Sequence, residues 1–207
     1  MNITIIGAGN VGGTLALAFR KAGHSIIFGV KDPSIPFKGK ELADKYSIPY
    51  FKIVEAVIKS EIIVLSTPAQ FAGDVAKGLG NVADKIIIDT MNAVFIKPDG
   101  FTNATDAILA NCNCTDVVKC FNTTGYENMA NPIYHGEGID MFVAGNSEKG
   151  KQVATQLAKD IGFANSYDFG GNDKFFAIEQ FAFAWINLAI IQKHGRDLAF
   201  KLIKREY

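Results

Sequence analysis

Six residues near the amino terminus, Gly7-Ala8-Gly9-Asn10-Val11-Gly12, are spaced as G-x-G-x-x-G. Glycine is common, so the spacing acquires a chemical meaning only from its flanks. Ahead of it runs Ile3-Thr4-Ile5-Ile6, a β-branched stretch that reads as a buried strand. Behind it Val11, Leu15, Ala18 and Ala22 recur at helical spacing until Gly23 ends the helix. In that setting Gly7 permits the tight turn, Gly9 lets the backbone approach a pyrophosphate, and Gly12 lets helix and strand pack closely. The first amides of the helix then face the phosphates with a partial positive charge. Gly7, Gly9, Asn10, Val11 and Gly12 are therefore the first candidate cofactor contacts.

The second strand, Ser25-Ile26-Ile27-Phe28, bears on which dinucleotide this would be. A carboxylate at the end of this strand would hold a ribose 2′-hydroxyl and repel a 2′-phosphate. Val30 occupies the strand end here, followed by Lys31, and both join the candidate contacts. Asp32 lies close to the same spacing, but Pro33 follows it, so Asp32 reads as already in a turn. The pattern favours NADP(H) over NAD(H). Lys38 and Lys40 are further cations nearby and read by default as solvated surface lysines.

Ligands bind beyond the carboxyl ends of parallel strands, so the residues just after each strand matter next. Ser66-Thr67-Pro68 follows one strand and Asp89-Thr90-Met91-Asn92 ends another, giving Ser66, Thr67, Pro68 and Asn92 as further cofactor contacts. Phe121-Asn122-Thr123-Thr124-Gly125 ends a third, with Asn122 and Thr123 as candidate substrate contacts. Their amides and hydroxyls suit a carboxamide or a flat heterocycle. No acid–base pair stands out: His24, His135 and His194 sit in settings that favour structural or surface roles, and no catalytic side chain is assigned. Cys112, Cys114 and Cys120 include a C-x-C rather than paired C-x-x-C motifs, so no metal site and no disulfide framework is expected. Hydride transfer between two redox rings asks for positioning more than for proton relays.

These residues need a scaffold. Strand-like runs at Glu61–Leu65, Lys85–Asp89, Val117–Phe121 and Asp140–Ala144 alternate with helical patterns at Phe71–Leu79 and Ser147–Ile161. Lys97–Asn103 and Tyr126–Gly138 read as long loops. The alternation implies an α/β, Rossmann-type, mostly parallel sheet with helices on both faces. Residues 1–171 would form the NADP-binding domain and 172–207 a carboxyl-terminal helical extension, packed on it and on a partner subunit. Phe175–Ile191 is apolar almost all round, and Glu179, Gln180 and Asn187 interrupt it, which favours a buried helix over a membrane span. Trp185 and Asn187 on this helix are the other candidate substrate contacts. Lys plus Arg equals Asp plus Glu at 21 each, which argues against nucleic acid and anionic membranes as partners. The absence of a leader-like start and the odd thiol count fit a cytoplasmic setting.

Several of these segments resemble one oxidoreductase family. They are the glycine turn from Ile5 to Gly12, Gly29-Val30-Lys31-Asp32-Pro33 and Asp89-Thr90-Met91-Asn92. Val118-Lys119-Cys120-Phe121-Asn122-Thr123 followed by Glu127-Asn128-Met129 is the most specific piece. Asp140–Gly145 and the ending Gly195–Lys201 match as well. The family is the NADP oxidoreductases dependent on coenzyme F-420, a deazaflavin, with their bacterial relatives. The reductase domain of the six-transmembrane metalloreductases is a cousin. The resemblance implies hydride exchange between NADP(H) and a flavin-like acceptor, F-420 or FMN/FAD, stacked on the nicotinamide in a homodimer. It also shows departures. Val30-Lys31 stands where the family commonly has Ser or Thr followed by Arg, and Glu179-Gln180 and Asn187 replace a Glu-Pro and a His. Two other readings stay open: a dinucleotide-sensing module without turnover, and an imine reductase of the pyrroline-carboxylate type. The latter carries a long helical dimerisation domain, whereas only about 35 residues follow Asp173 here.

Overall fold

The computed structural model describes residues 1–205. The chain begins with β1 (Asn2–Ile6), α1 (Asn10–Lys21) and β2 (Ser25–Val30), followed by α2 (Lys40–Tyr46), β3 (Tyr50–Lys52) and α3 (Ile53–Ile58). Next come β4 (Ile62–Leu65), α4 (Ala72–Lys77), β5 (Ile86–Asp89), α5 (Ala104–Asn111), β6 (Val117–Lys119) and α6 (Tyr126–Ala130). A small hairpin, β7 (Ile133–Tyr134) and β8 (Glu137–Gly138), precedes β9 (Asp140–Ala144), α7 (Glu148–Asp160), β10 (Asn165–Gly170) and α8 (Phe175–Ile186).

The main sheet has the order β10-β9-β6-β5-β4-β1-β2-β3. Six strands from β3 to β6 run parallel, while β9 meets β6 antiparallel through the single pair Lys119–Ala144, and β10 runs parallel to β9. The order 3-2-1-4-5-6 is that of a doubly wound dinucleotide fold, which fits the α/β expectation. Strand alternation divides the core between two faces. Ile62, Val64, Ile86 and Ile88 pack with Leu15 and Phe19 of α1 and Leu157 of α7. Ile63, Leu65 and Ile87 pack with Ala72 and Ala76 of α4 and Ile108 of α5. A smaller cluster seats Phe175 and Ile178 of α8 on Phe142 and Ala144 of β9.

Some elements differ from expectation. Tyr126–Gly138, expected as a loop, holds α6 and the hairpin. The apolar helix is α-helical only to Ile186 and continues as a π-turn over Asn187–Ile191. By length and composition Asn172–Ile191 is long and apolar enough to cross a membrane. Phe175, Ile178, Ala182 and Trp185 are nevertheless buried in the protein's own core.

Candidate functional site

The first strand-to-helix crossing is as tight as the glycine spacing implies. Gly7 has φ +98°, and a Cβ there would lie 2.4 Å from the Ser66 carbonyl oxygen. A Cβ on Gly12 would lie 1.9 Å from the Gly7 carbonyl oxygen. Helix α1 has no side-chain cap and no acidic residue in its first turn, so its leading amides face the open cleft without an internal partner.

A cleft of about 500 Å³ opens above this turn, lined by Gly7 to Val11, Lys38, Ser66, Thr67, Pro68, Ala69, Thr90, Met91 and Asn92. It brings together most of the cofactor contacts expected from sequence, although they come from three different strand ends. Thr90 Oγ1 donates to the Leu65 carbonyl at 3.0 Å, which ties two of those ends together. Among the described residues Lys38 is the only ionisable side chain in this lining.

Val30 and Lys31 are placed differently. Val30, expected as a cofactor contact, packs in the core at the end of β2, because its strand position points inward. Lys31 is exposed and lies outside the cleft lining. Asp32 has left the strand as expected: its carboxylate accepts from the Ser34 amide at 2.9 Å and the Ser34 hydroxyl at 2.7 Å. Those two bonds hold its pKa below the usual carboxylate range.

At the far end, Asn92 and Asn122 form an interlocked pair. Asn92 Nδ2 donates to the Asn122 carbonyl at 2.8 Å, which turns Asn92 Oδ1 towards Asn122 Nδ2 at 3.0 Å. Both amide orientations are thereby set by the network. Asn122 Oδ1 is left as a buried acceptor without a partner among the described residues. The preceding Phe121 is fully buried in the left-handed region, φ 57°. An orphaned acceptor and a strained aromatic residue at one strand end are the kind of local cost that functional sites carry. Thr123 is also buried but points its hydroxyl at the Met141 sulfur, 3.8 Å away.

Beneath this end lies a fully buried ion cluster that a sequence reading misses, since a lone lysine in a strand resembles a surface residue. Lys119 Nζ donates to Asp89 Oδ2 at 2.5 Å, to Glu179 Oε1 at 2.9 Å and to the Met91 carbonyl at 2.7 Å. Glu179 also accepts from the amides of Ala93 at 3.0 Å and Ala104 at 3.2 Å. Asp89 accepts from Thr105 and from the Met91 amide as well. Burial alone would lower the Lys119 pKa, but the Asp89 and Glu179 carboxylates outweigh it and hold the ammonium charged, above the usual lysine range. The cluster thus staples α8 to the loop that presents Met91 and Asn92.

Trp185, expected in an acceptor pocket, is buried within its own chain. Its Nε1 donates to the Leu198 carbonyl at 2.6 Å, and its ring lies 5.4 Å from the Arg196 guanidinium. Arg196 in turn pairs with Glu127 through both carboxylate oxygens. Asn187 opens the π-turn and is half-buried. Cys112, Cys114 and Cys120 are free, and burial raises all three thiol pKa values, Cys114 to about 11. Among the described residues no group of His, Cys, Asp and Glu could hold a metal.

Comparisons with known proteins align with this geometry. Residues 2–93 match the family model described as NADP oxidoreductase coenzyme F420-dependent. That stretch carries β1 to β5, the glycine turn and the start of the cleft's far wall. The crystal structure of a candidate F420-dependent NADP reductase from Arthrobacter sp. FB24 superposes with a TM-score of 0.85 at 24% identity, covering 99% of this chain and 100% of that one. An imine reductase from Streptomyces aurantiacus superposes with a TM-score of 0.68 at 15% identity, over 93% of this chain and 64% of that one. A redox-sensing transcriptional repressor, Rex, from Carboxydothermus hydrogenoformans is 33% identical over 102 residues, 47% of this chain. The match spans about half, 49%, of that relative's length.

Proposed function

From an amino-terminal stretch, residues 2–93, that matches the NADP oxidoreductase model, we propose that the protein transfers a hydride between NADP(H) and a flavin-like or deazaflavin ring, F-420 or FMN/FAD. The observation that carries this reading is the character of the cleft. It runs from the open amides of α1 to Asn92, and among the described residues no carboxylate, imidazole or thiol lines it. Such a lining suits a reaction in which the cofactor supplies the hydride and the protein supplies position. In this reading the glycine turn holds the pyrophosphate, Ser66 to Pro68 flank the ribose, and the Asn92–Asn122 pair orients the nicotinamide end. Lys31, free at the end of β2, meets the ribose 2′-phosphate. A homodimer and a cytoplasmic setting belong to the same proposal; free thiols and an apolar outer face on α8 support them.

The test is anaerobic oxidation of NADPH with FMN, FAD and F-420 as acceptors, alongside calorimetric binding of NADPH and NADH. We expect turnover with at least one ring and tighter binding of NADPH. Lys31→Ala should weaken NADPH about tenfold, as loss of one charged hydrogen bond would, and leave NADH unchanged. Equal losses for both cofactors would remove the 2′-phosphate assignment. A second reading, a dinucleotide sensor, is favoured by the partial match to a redox-sensing repressor. NADPH binding without turnover of any ring acceptor would replace the reductase with the sensor.

A further inference from the structure

We propose that Lys38 is the counter-ion of the bound dinucleotide's pyrophosphate, held over the glycine turn by a strap that Gly39 seats. The inference rests on the dinucleotide reading of the cleft and adds a residue to it.

Position comes first. Gly9 is the point where the backbone must come closest to the pyrophosphate. The Lys38 Cε and Nζ atoms both lie 3.6 Å from where a Cβ on Gly9 would be. Lys38 lines the 500 Å³ cleft and also a neighbouring cavity of about 330 Å³ bounded by Asn10, Thr14 and Tyr126, so it borders both, together with Ala8, Gly9 and Asn10. Lys31 lines neither cavity.

Electrostatics point the same way. Among the described residues Lys38 pairs with no carboxylate, whereas Lys40, two residues on, is bonded to Asp44 at 3.0 Å and to the Tyr50 hydroxyl at 3.1 Å. A pyrophosphate brings two negative charges, of which the amino end of α1 offsets about half of one. Among the described residues no other charged side chain lines the cleft to meet the remainder.

The backbone on either side of Lys38 is pinned. Gly39 has φ +93°, and a Cβ there would lie 2.4 Å from the Ala8 carbonyl oxygen, so the strap rests directly on the turn. Phe37 packs edge-on against Tyr50 with ring centres 5.0 Å apart, and a Leu42 methyl lies 3.3 Å from where a Gly13 Cβ would be. Because the pyrophosphate is common to both nicotinamide dinucleotides, Lys38 contributes affinity without choosing between them.

Calorimetry with NADPH, NADH and adenosine 2′-monophosphate, which keeps the 2′-phosphate and lacks both phosphates of the bridge, separates the possibilities. Lys38→Ala should weaken NADPH and NADH alike by about tenfold, leave adenosine 2′-monophosphate within about twofold, and be restored by Lys38→Arg. Gly39→Ala, which lifts the strap, should weaken both dinucleotides in the same way. Unchanged binding of both dinucleotides in Lys38→Ala overturns the proposal while the cleft assignment stands. A loss confined to NADPH and adenosine 2′-monophosphate also overturns it, since Lys38 would then read the 2′-phosphate. A wild-type protein that binds no dinucleotide overturns both the cleft assignment and the role of Lys38.

Discussion

Gly12 makes the closest approach of helix to strand in the cofactor turn, and no rotamer can relieve a contact between a Cβ and a backbone oxygen 1.9 Å apart. Gly12→Ala must therefore move α1 off β1, displacing the amides that would meet the phosphates. We expect a stability loss of about 1–3 kcal/mol by urea denaturation, typical of overpacking, with NADPH affinity falling at least about tenfold. Wild-type affinity in a folded variant would place the cofactor elsewhere. Residues of this kind were legible in the sequence because a missing side chain between a strand and a helix has few local alternatives. Lys38 and Gly39 were not legible in these roles. Their place depends on Phe37 packing against Tyr50, a contact that spacing does not reveal. Val30 misled for a related reason, since the end of a strand says where a residue is in the chain but not which face it takes.

Element by element, long helices and short but strongly apolar strands such as β4 and β5 were readable, and short elements with a weak pattern were not. Helices α2 and α3 and strand β3 run only 7, 6 and 3 residues and carry little periodicity of their own. β10 has no fully buried residue, so its strand pattern is faint. The end of the apolar helix follows no hydrophobic rule at all, because a π-turn changes hydrogen bonding and leaves composition alone. What fixes α8 in place is the buried cluster at Glu179. Lys119→Met would leave Asp89 and Glu179 buried without their shared cation, costing about 3–5 kcal/mol. Urea denaturation should show the loss as a lower midpoint at nearly constant slope. A loss below about 1 kcal/mol would mean that α8 is held by its apolar contacts alone.

At the level of the whole molecule, the outer face of α8 and its π-turn is the conspicuous unpaired surface. Phe176, Ile190 and Ile191 are each nearly half exposed, and Phe95, 71% exposed, stacks edge-on with Phe183 beside them. A continuous apolar face of this kind is unusual on a monomer and suits a second copy of the same surface. Sedimentation at micromolar concentration should give about twice the 22.4 kDa chain mass, and Phe176→Glu with Ile190→Glu should halve it. Trp185 would take no part in such an interface, because its own chain covers it. A monomeric wild-type protein would leave the patch without this partner.

The Lys119 cluster also imposes an order in time. Its ammonium and the Asp89 carboxylate leave the ribosome early, but Glu179 follows Lys119 by sixty residues. At roughly 5–20 residues per second that interval is about 3–12 s. Until it has passed, the amides of Ala93 and Ala104 lack the carboxylate that satisfies them in the finished fold. The loop bearing Met91 and Asn92 therefore sets late, although its residues are made early. A nascent chain can form the glycine turn long before the loop opposite gains the last of its anchors from α8.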